Sequence, residues 1–425
     1  MKIYKNAAEA AEILKRGKFD DAAKSAAVRE IVNAVKERGD EALFSYCEKF
    51  DNSKLTAQTV CVSREETQAA YAQTDETFLE SLRKAVKNVY EYHARSVMKE
   101  DIRTKDGRTT GFAVRAVSRA GIYVPGGTAP LVSSVLMGVL PAKAAGVKEI
   151  YVCTPAKGGK VDPSVIVAAH ECGVTKLFKA GGAQAIAAFA YGTESIPKVD
   201  VIAGPGNIYV TLAKKEVYGE VGIDMLAGPS EILIIADSKQ KTKYVAADIL
   251  SQAEHDKLAR AILLTDDEEF AKIVAKEVER QLELLPRKEI AAYSVANAGG
   301  IILVKDLQEA CALANEIAPE HLEIAAENCE ELLPKIEHAG AVFLGSYTPE
   351  PVGDYFAGPD HILPTGGTAR FFQVLNADIF LRKMSVIRYT KEAILEDGAD
   401  IVRLAESEQL TAHANAVRVR LEDEK

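Results

Sequence analysis

The chain has 425 residues, a net charge of −10 and 48% hydrophobic residues, which is enough chain for two or more ordinary globular domains. Its acidic balance argues against a nucleic-acid-binding protein, which usually presents a basic face, and against adhesion to an anionic membrane. No segment approaches the roughly 18 consecutive apolar residues of a membrane span, and the first residues do not resemble a signal peptide. We therefore expect a cytoplasmic protein that binds neither nucleic acid nor membrane.

The six cysteines are scattered along the chain and none forms a C-x-x-C pair. Such single cysteines in a large acidic protein indicate reduced, mostly buried thiols. Cys153 ends the strand-like run IYVC at 150–153, so we expect it in the core rather than in a catalytic role.

Residues 1 to about 108 predict helices, because apolar residues recur at three- and four-residue spacing in 25–36 and 78–93. From about residue 119, short strand-like runs alternate with apolar helices. The predicted strands are 121–124, 149–152, 176–178, 199–202, 222–225, 231–235, 261–264, 301–304 and 341–344. The predicted helices between the earlier strands include 132–145, 163–170 and 184–191.

This alternation predicts an α/β fold with two doubly wound, Rossmann-like parallel-sheet units. We expect residues 1–118 and 235–373 to form the first domain, with the N-terminal helices, the metal candidates and the acid–base candidates. Residues 119–234 would be an inserted second α/β domain. Residues 374–425 predict a charged helical tail with little core of its own, which would pack on a second subunit.

Three Ala-Gly-Pro triplets lie at 203–205, 227–229 and 357–359. The first two follow predicted strands, and ligands of open α/β sheets bind beyond the carboxyl ends of strands. Each triplet taken alone is more often a tight turn.

Gln252 and His255 are three residues apart in a predicted helix at 245–257, so they share one face. Histidine is a good zinc ligand, whereas glutamine is an unusual one. A polar helix face that ends near Asp256 is an equally good interpretation of this pair.

Glu320 and His321 precede a strand-like segment, and in a loop both side chains can reach one pocket. A carboxylate beside an imidazole suits acid–base chemistry near neutral pH. Asp354 lies in a predicted glycine-flanked loop, with His361 seven residues later.

His413 lies in the tail, five residues after Glu408. Two histidines, a carboxylate and another oxygen donor would complete a four-ligand zinc site.

Several common motifs are missing. An H-E-x-x-H motif that begins at His170 fails because residue 174 is valine, and a G-x-G-x-x-G fingerprint from 204 fails because residue 209 is tyrosine. The sequence has no Walker A loop and no G-x-S-x-G nucleophile elbow.

Seven ordered segments carry a family resemblance: GIYVPGG at 121–127, GGAQAIA at 181–187, AGPGN at 203–207, AGPSE at 227–231, SQAEH at 251–255, APEHL at 318–322 and GDY at 353–355. Together they resemble the histidinol dehydrogenase family along nearly the whole chain. The resemblance implies an NAD-dependent homodimer that oxidises L-histidinol to L-histidine through the aldehyde, at the end of histidine biosynthesis.

The resemblance also implies roles for individual residues. One Zn²⁺ per subunit would be held by Gln252, His255, Asp354 and, from the partner subunit, His413. Glu320 and His321 would be the acid–base pair. Substrate contacts would come from the four zinc ligands and from Ser230, His321, His361 and Glu408, the last supplied by the partner subunit, and NAD contacts from Tyr123, Gln184 and Asn207.

The sequence leaves three alternatives open. A zinc-dependent hydrolase would use Glu320 to activate water, and a non-catalytic metal- or ligand-binding α/β protein would tolerate Glu320→Gln. A dehydrogenase of a related amino alcohol would share every motif above. The metal itself stays open, since manganese or cobalt can occupy a nitrogen and oxygen site.

Overall fold

A computed structural model of the chain describes residues 1–15, 21–126 and 130–422. The chain forms two compact units. The larger contains Met1–Ser96 and Ser118–Phe380, and the smaller contains Val97–Val117 and Leu381–Lys425. The predicted domain limits near residues 118, 234 and 373 stay a prediction.

The strands, in chain order, are β1 (Ile3–Tyr4), β2 (Asp101–Lys105), β3 (Arg108–Ala116), β4 (Arg119–Tyr123), β5 (Glu149–Cys153), β6 (Lys176–Phe178), β7 (Val201–Ala203), β8 (Gly222–Ile223), β9 (Glu231–Ala236), β10 (Arg260–Thr265), β11 (Gly300–Leu303), β12 (His321–Ala325), β13 (Ala341–Leu344) and β14 (Leu381–Tyr389).

The α-helices are α1 (Ala11–Leu14), α2 (Ala22–Arg38), α3 (Asp40–Asp51), α4 (Arg64–Ala72), α5 (Glu76–Ser96), α6 (Val132–Ala144), α7 (Pro163–Cys172), α8 (Gly182–Tyr191), α9 (Ile208–Val217), α10 (Thr242–Ala253), α11 (Glu268–Leu282), α12 (Lys288–Asn297), α13 (Leu307–Ile317), α14 (Cys329–Leu332), α15 (Glu350–Tyr355), α16 (Lys391–Ser407) and α17 (Thr411–Glu422). Short 3₁₀ helices occur at Leu333–Lys335, Thr368–Arg370 and Ala377–Phe380.

The larger unit contains a six-stranded sheet with the order β1-β11-β10-β9-β12-β13, in which every neighbouring pair is parallel. Its central strand β9 reads Glu-Ile-Leu-Ile-Ile-Ala and is buried at all six positions. Alternate residues of β9 enter two apolar clusters, one on each face of the sheet. Helices cover both faces, as a parallel sheet requires.

A second sheet in the same unit has the order β6-β5-β4-β7-β8 and is also parallel throughout. Helix α7 begins with Pro163 after the N-cap Asp162 and is followed by Gly173 in a left-handed conformation, which are the expected start and stop signals. The predicted α/β fold with two parallel-sheet units is therefore confirmed. Cys153 is buried in the core as expected, and all six cysteines are free thiols.

The smaller unit corrects two predictions of purely helical structure. Residues 101–116 form β2 and β3, which pair with β14 in an antiparallel sheet of order β14-β3-β2. Most positions of β14 and all of β2 are exposed or half-buried, so the alternation of apolar and polar residues that marks a strand is missing.

The N-terminal segment also contributes β1, whose pairing with β11 joins residues about 300 positions apart.

No helix among the described residues is long and apolar enough to cross a membrane.

A buried ion pair holds the loop after β7 in the five-stranded sheet. Lys214 on α9 pairs with Asp224, and both side chains are almost fully buried. Lys214 Nζ donates to the carbonyl of Gly204 at 3.0 Å, and Asp224 Oδ2 accepts the Gly204 N–H at 2.8 Å. The pair therefore binds both polar groups of one glycine, whose φ is +118°.

We expect Lys214→Met to lower the free energy of unfolding by about 3–5 kcal/mol, because it leaves a buried carboxylate without its cation. Urea denaturation followed by circular dichroism would measure the change. Lys272→Met is the matched control, since Lys272 pairs with exposed Glu268 and Glu269 and should cost under about 1 kcal/mol. Equal losses in the two variants would contradict this account of the ion pair.

Candidate active site

The acid–base candidates lie at the amino end of the six-stranded sheet. Glu320 directly precedes β12, and His321 is its first residue, paired with Ile232 of β9. Ala318, just before them, has a left-handed backbone with φ +48°, which turns the chain sharply between α13 and β12. Both side chains are more than 90% buried.

The main chain of Glu231, the first residue of β9, binds both candidates. Its N–H donates to Glu320 Oε2 at 2.7 Å, and its carbonyl lies 2.9 Å from His321 Nδ1. Because a carbonyl only accepts, Nδ1 of His321 carries the proton and donates it. The other ring nitrogen, Nε2, is then unprotonated in the neutral ring, and it is buried without a hydrogen-bond partner. That is the arrangement a general base requires.

Gln252 packs beside this pair and is 1% exposed. Its amide cannot donate to His321 Nδ1, 3.4 Å away, since that nitrogen is already a donor. With the amide turned the other way, its nitrogen donates to Glu350 Oε1 at 3.3 Å and its oxygen accepts from Glu231 N at 3.2 Å. This orientation satisfies both atoms of the amide.

Three buried side chains converge on a common point next to this amide. His321, Glu350 and Asp354 each offer a ligand atom, and these atoms all lie within 4.8 Å of one another. Asp354 Oδ1 lies 3.9 Å from His321 Nε2 and 3.7 Å from His361 Nδ1. Like His321 Nε2, Asp354 Oδ1 is buried without a hydrogen-bond partner. The nitrogen and oxygen donors of this cluster are compatible with a bound metal ion.

Burial sets the protonation of these groups. It raises the pKa of Glu320 well above its usual value and raises that of Asp354 to about 9, with neighbouring carboxyls such as Glu350 adding to the effect. Burial also lowers the pKa of His321 and brings that of His361 to about 3. Both imidazoles are therefore neutral and able to accept a proton or bind a cation.

Two predictions of local structure at these residues are wrong in detail. Helix α10 ends at Ala253, so Gln252 lies in its last turn, and His255 follows in a turn with an exposed side chain rather than on the same helix face. Asp354 lies in the short helix α15, which begins after Pro349, rather than in a loop. His255 is still near the cluster, since an electrostatic interaction with it adds to the effect of burial in lowering the pKa of both His321 and His361.

Other substrate and metal candidates are distributed between the two units. Ser230 is half-buried directly before β9. Glu408 and His413 belong to the smaller unit, where Glu408 directly follows α16 and His413 lies near the start of α17, and both are exposed there. The metal-compatible cluster within the larger unit does not include them.

The three candidates for nucleotide contacts lie at the carboxyl ends of strands in the five-stranded sheet. Tyr123 ends β4, and its hydroxyl accepts the N–H of Gly182 at 3.0 Å. Gln184, at the start of α8, is 1% exposed, and neither atom of its amide has a hydrogen-bond partner. Asn207 follows β7 and caps α9 by accepting from Tyr209 N and Val210 N.

At the same edge of the sheet, the backbone contacts around Gly204 leave no room for a side chain. A Cβ atom on Gly204 would lie 2.1 Å from the carbonyl oxygen of Tyr123, in addition to the strain of its positive φ. The carboxyl edge of a parallel sheet with a glycine turn and an unpartnered amide is typical of a ligand site. Gly127, the end of the predicted loop at 121–127, lies outside the described residues.

Glu350 is a site residue that the sequence motifs did not reveal. It is 2% exposed, and its Oε1 lies 4.0 Å from His321 Nε2. Its position four residues before Asp354 would have indicated a shared helix face, but the flanking prolines at 349 and 351 favour an extended segment.

The fold and these side chains together are those of an α/β enzyme, with a buried pair of acid–base candidates beside a metal-compatible cluster. The sequence model of the histidinol dehydrogenase family matches residues 14–421. Histidinol dehydrogenase of Caldanaerobacter subterraneus subsp. tengcongensis is 53% identical over 96% of this chain and 95% of its own, and that of Carboxydothermus hydrogenoformans is 51% identical over both full chains. The crystal structure of histidinol dehydrogenase from Elizabethkingia anophelis matches with a TM-score of 0.95 and 40% identity over 100% of this chain and 98% of that one.

The chain belongs to the histidinol dehydrogenase family. The predicted family and the predicted oxidoreductase class are therefore confirmed. The zinc-hydrolase alternative is not favoured, since the match covers nearly the whole chain.

Proposed function

We propose that this protein oxidises L-histidinol to L-histidine by way of the aldehyde, with bound zinc and NAD as hydride acceptor, as a cytoplasmic homodimer. One observation carries the proposal. In a chain of this family, the unprotonated Nε2 of His321 and the unpartnered Oδ1 of Asp354 lie 3.9 Å apart in a buried site beside Glu320.

Gln252, His255 and Asp354 would hold the zinc together with His413 of the partner subunit. The unpartnered oxygen of Asp354 and the neutral imidazoles nearby suit such an ion. When bound, zinc would hold the imidazole and amino groups of histidinol and so orient the reacting carbon.

The unpartnered amide of Gln184, together with Tyr123 and Asn207, would contact NAD. When bound, NAD would accept the hydride of each oxidation, one NAD molecule for each of the two steps, which is chemistry that the protein itself cannot supply. The substrate contacts would come from Ser230, His361 and, from the partner subunit, Glu408.

The side chains of the acid–base pair have complementary tasks in this reaction. His321 Nε2 takes the proton of the substrate hydroxyl as the first hydride leaves the carbon, which yields the aldehyde. The aldehyde then adds water, and Glu320 draws a proton from that water. Loss of the second hydride from the hydrate gives the carboxylic acid. A thioester route is disfavoured, because none of the six cysteines lies in a site segment.

We expect two NADH per L-histidinol at limiting substrate, because the overall change is a four-electron oxidation. The yield would be measured by absorbance with zinc-loaded protein, with chelator-stripped protein and after zinc is restored. Stripping should abolish NADH formation and zinc should restore it. One NADH would show that the aldehyde escapes. No NADH from zinc-loaded protein would rule out histidinol and favour a related amino alcohol.

We expect His321→Asn to slow the first hydride transfer and Glu320→Gln to slow mainly oxidation of the aldehyde, each by about 10²–10⁴-fold. Stopped-flow measurement with histidinol and with the aldehyde would separate the two steps. His338→Asn and Glu327→Gln, which lie outside the site in the same unit, are the matched controls. Unchanged turnover in Glu320→Gln would contradict the division of roles.

We expect mixed dimers of His255→Ala and His413→Ala chains to recover activity, although each variant alone should be nearly inactive. A mixed pair restores one intact site if His413 crosses to the partner subunit. Activity would be measured after the two variants are co-expressed with different tags and the mixed species is isolated. Mixed dimers as inactive as the parents would show that the site is not shared between subunits.

A further inference from the structure

A buried carboxyl group that the proposed chemistry does not use lies directly below the acid–base pair. Glu323 is 3% exposed and occupies β12 two residues after His321, so the two side chains project from the same face of the sheet. Its Oε1 accepts the backbone N–H of Glu350 at 2.8 Å. Its carboxyl is also hydrogen-bonded to the carboxyl of Asp248.

These two bonds connect three elements. The bond to Glu350 joins β12 to the first residue of α15, and the bond to Asp248 joins β12 to α10. Ser251 adds a further link, since its Oγ lies 2.8 Å from the carbonyl of Asp248 and 3.1 Å from Glu350 Oε2.

The residues that Glu323 contacts on α10 and α15 form a junction that is related to the site by the spacing along each helix. Glu350 and Asp354 are four residues apart on α15, and Asp248 and Gln252 are four residues apart on α10. Residues at this spacing lie above one another on one face of a helix. The junction around Glu323 therefore forms a polar layer one turn below the layer that contains Gln252, His321 and Asp354.

This layer is costly for stability alone. A carboxyl group out of water, such as that of Glu323, is less favourable than an apolar side chain of the same size, and it can bond to a second carboxyl only by sharing a proton. What the pair supplies, and apolar side chains would not, is a directional link between the three elements.

We propose that the Glu323–Asp248 carboxyl pair is a positioning device that sets the distances between β12, α10 and α15, and thereby between the acid–base histidine and the metal-binding side chains. The inference rests on the proposed function, because it assigns a purpose to the placement of those side chains. Glu323 acts through Gln252, His321 and Asp354 and does not itself touch the substrate.

The test compares Glu323→Leu with Glu323→Gln. Leucine fills the space but makes neither bond, whereas the glutamine oxygen accepts the Glu350 N–H and its NH₂ donates to Asp248. Zinc affinity would be measured by competition with a chelator, and kcat and KM would be measured with histidinol. Outer-shell partners of metal ligands are typically worth about 10–100-fold in affinity or activity. We expect Glu323→Leu to lose zinc affinity by that factor and Glu323→Gln to stay within about threefold of the wild type.

Ser294→Ala is the control for stability. Ser294 is fully buried, and its hydroxyl donates to the carbonyl of Ala259 in the same unit but outside the site. It should lower the melting temperature without changing zinc affinity or kcat. If Glu323→Leu does not fold, Asp248→Ala replaces it, because Asp248 is only half-buried. Folded Asp248→Ala should bind zinc several-fold more weakly.

Wild-type zinc affinity in folded Glu323→Leu or Asp248→Ala would overturn the positioning role and leave the proposed function intact. A loss in Glu323→Gln equal to that in Glu323→Leu would also overturn it, since the glutamine keeps both bonds. Wild-type protein that binds zinc but does not form NADH would overturn the proposed function alone, and the zinc affinities would still decide the role of the pair.

Discussion

The parallel pairing of β9 with β12 is the constraint on which the site depends. It brings the N–H and the carbonyl of Glu231 opposite two adjacent side chains, Glu320 and His321. Adjacent residues of a regular strand project to opposite faces, so the two could not normally share a pocket. The left-handed turn at Ala318 places Glu320 just before the strand begins, and the two bonds to Glu231 then hold the carboxyl and the imidazole together. A slip of one residue in this pairing would turn His321 away from the site.

The two parallel sheets contribute opposite edges to the proposed chemistry. The five-stranded sheet presents Tyr123, Gln184 and Asn207 beyond the carboxyl ends of its strands, as open α/β sheets generally do. The six-stranded sheet presents Glu320 and His321 at the amino end of β12. Neither a helix dipole nor a loop at the carboxyl ends of strands explains why Glu320 and His321 lie at the amino end of β12. The location follows from side chains that project from one face of the sheet. From the same face, Glu323 contacts α10 and α15.

The sequence predicted the parts of the fold in which local pattern and final structure agree. Strands β6 and β13 begin and end where their apolar runs do, and the buried runs identified both parallel sheets. Strands β2 and β14 were missed because their side chains are largely exposed, and β14 pairs with β3, whose residues lie about 270 positions away along the chain. Register over such a distance is decided by tertiary contacts and leaves no periodic signal in either segment.

Sequence motifs predicted some residues of the site, and only the packed structure reveals the others. Motifs pointed to Glu320, His321, Gln252 and Asp354, and the structure brings these four residues together. Nothing in the motifs indicated Glu323 or Glu350, since an isolated glutamate in a strand or after a proline is ordinary in a sequence. Their importance depends on burial and on the hydrogen bonds of Glu350 and Asp248, which only the packed structure defines.

The buried carboxyls in and below the site are all subject to the same electrostatic constraint. Burial raises the pKa of Glu320, Glu323 and Asp354, and the groups that act on them are other carboxyls and backbone N–H groups rather than lysine or arginine. Carboxyls in such surroundings are stabilised either by protons or by a cation, and the two compete for the same oxygens. A divalent ion that binds only the folded chain would relieve this repulsion and stabilise the fold by mass action. The raised pKa values of these carboxyls therefore fit a cluster that is compatible with a metal ion, and the neutral His321 beside it is the proposed base.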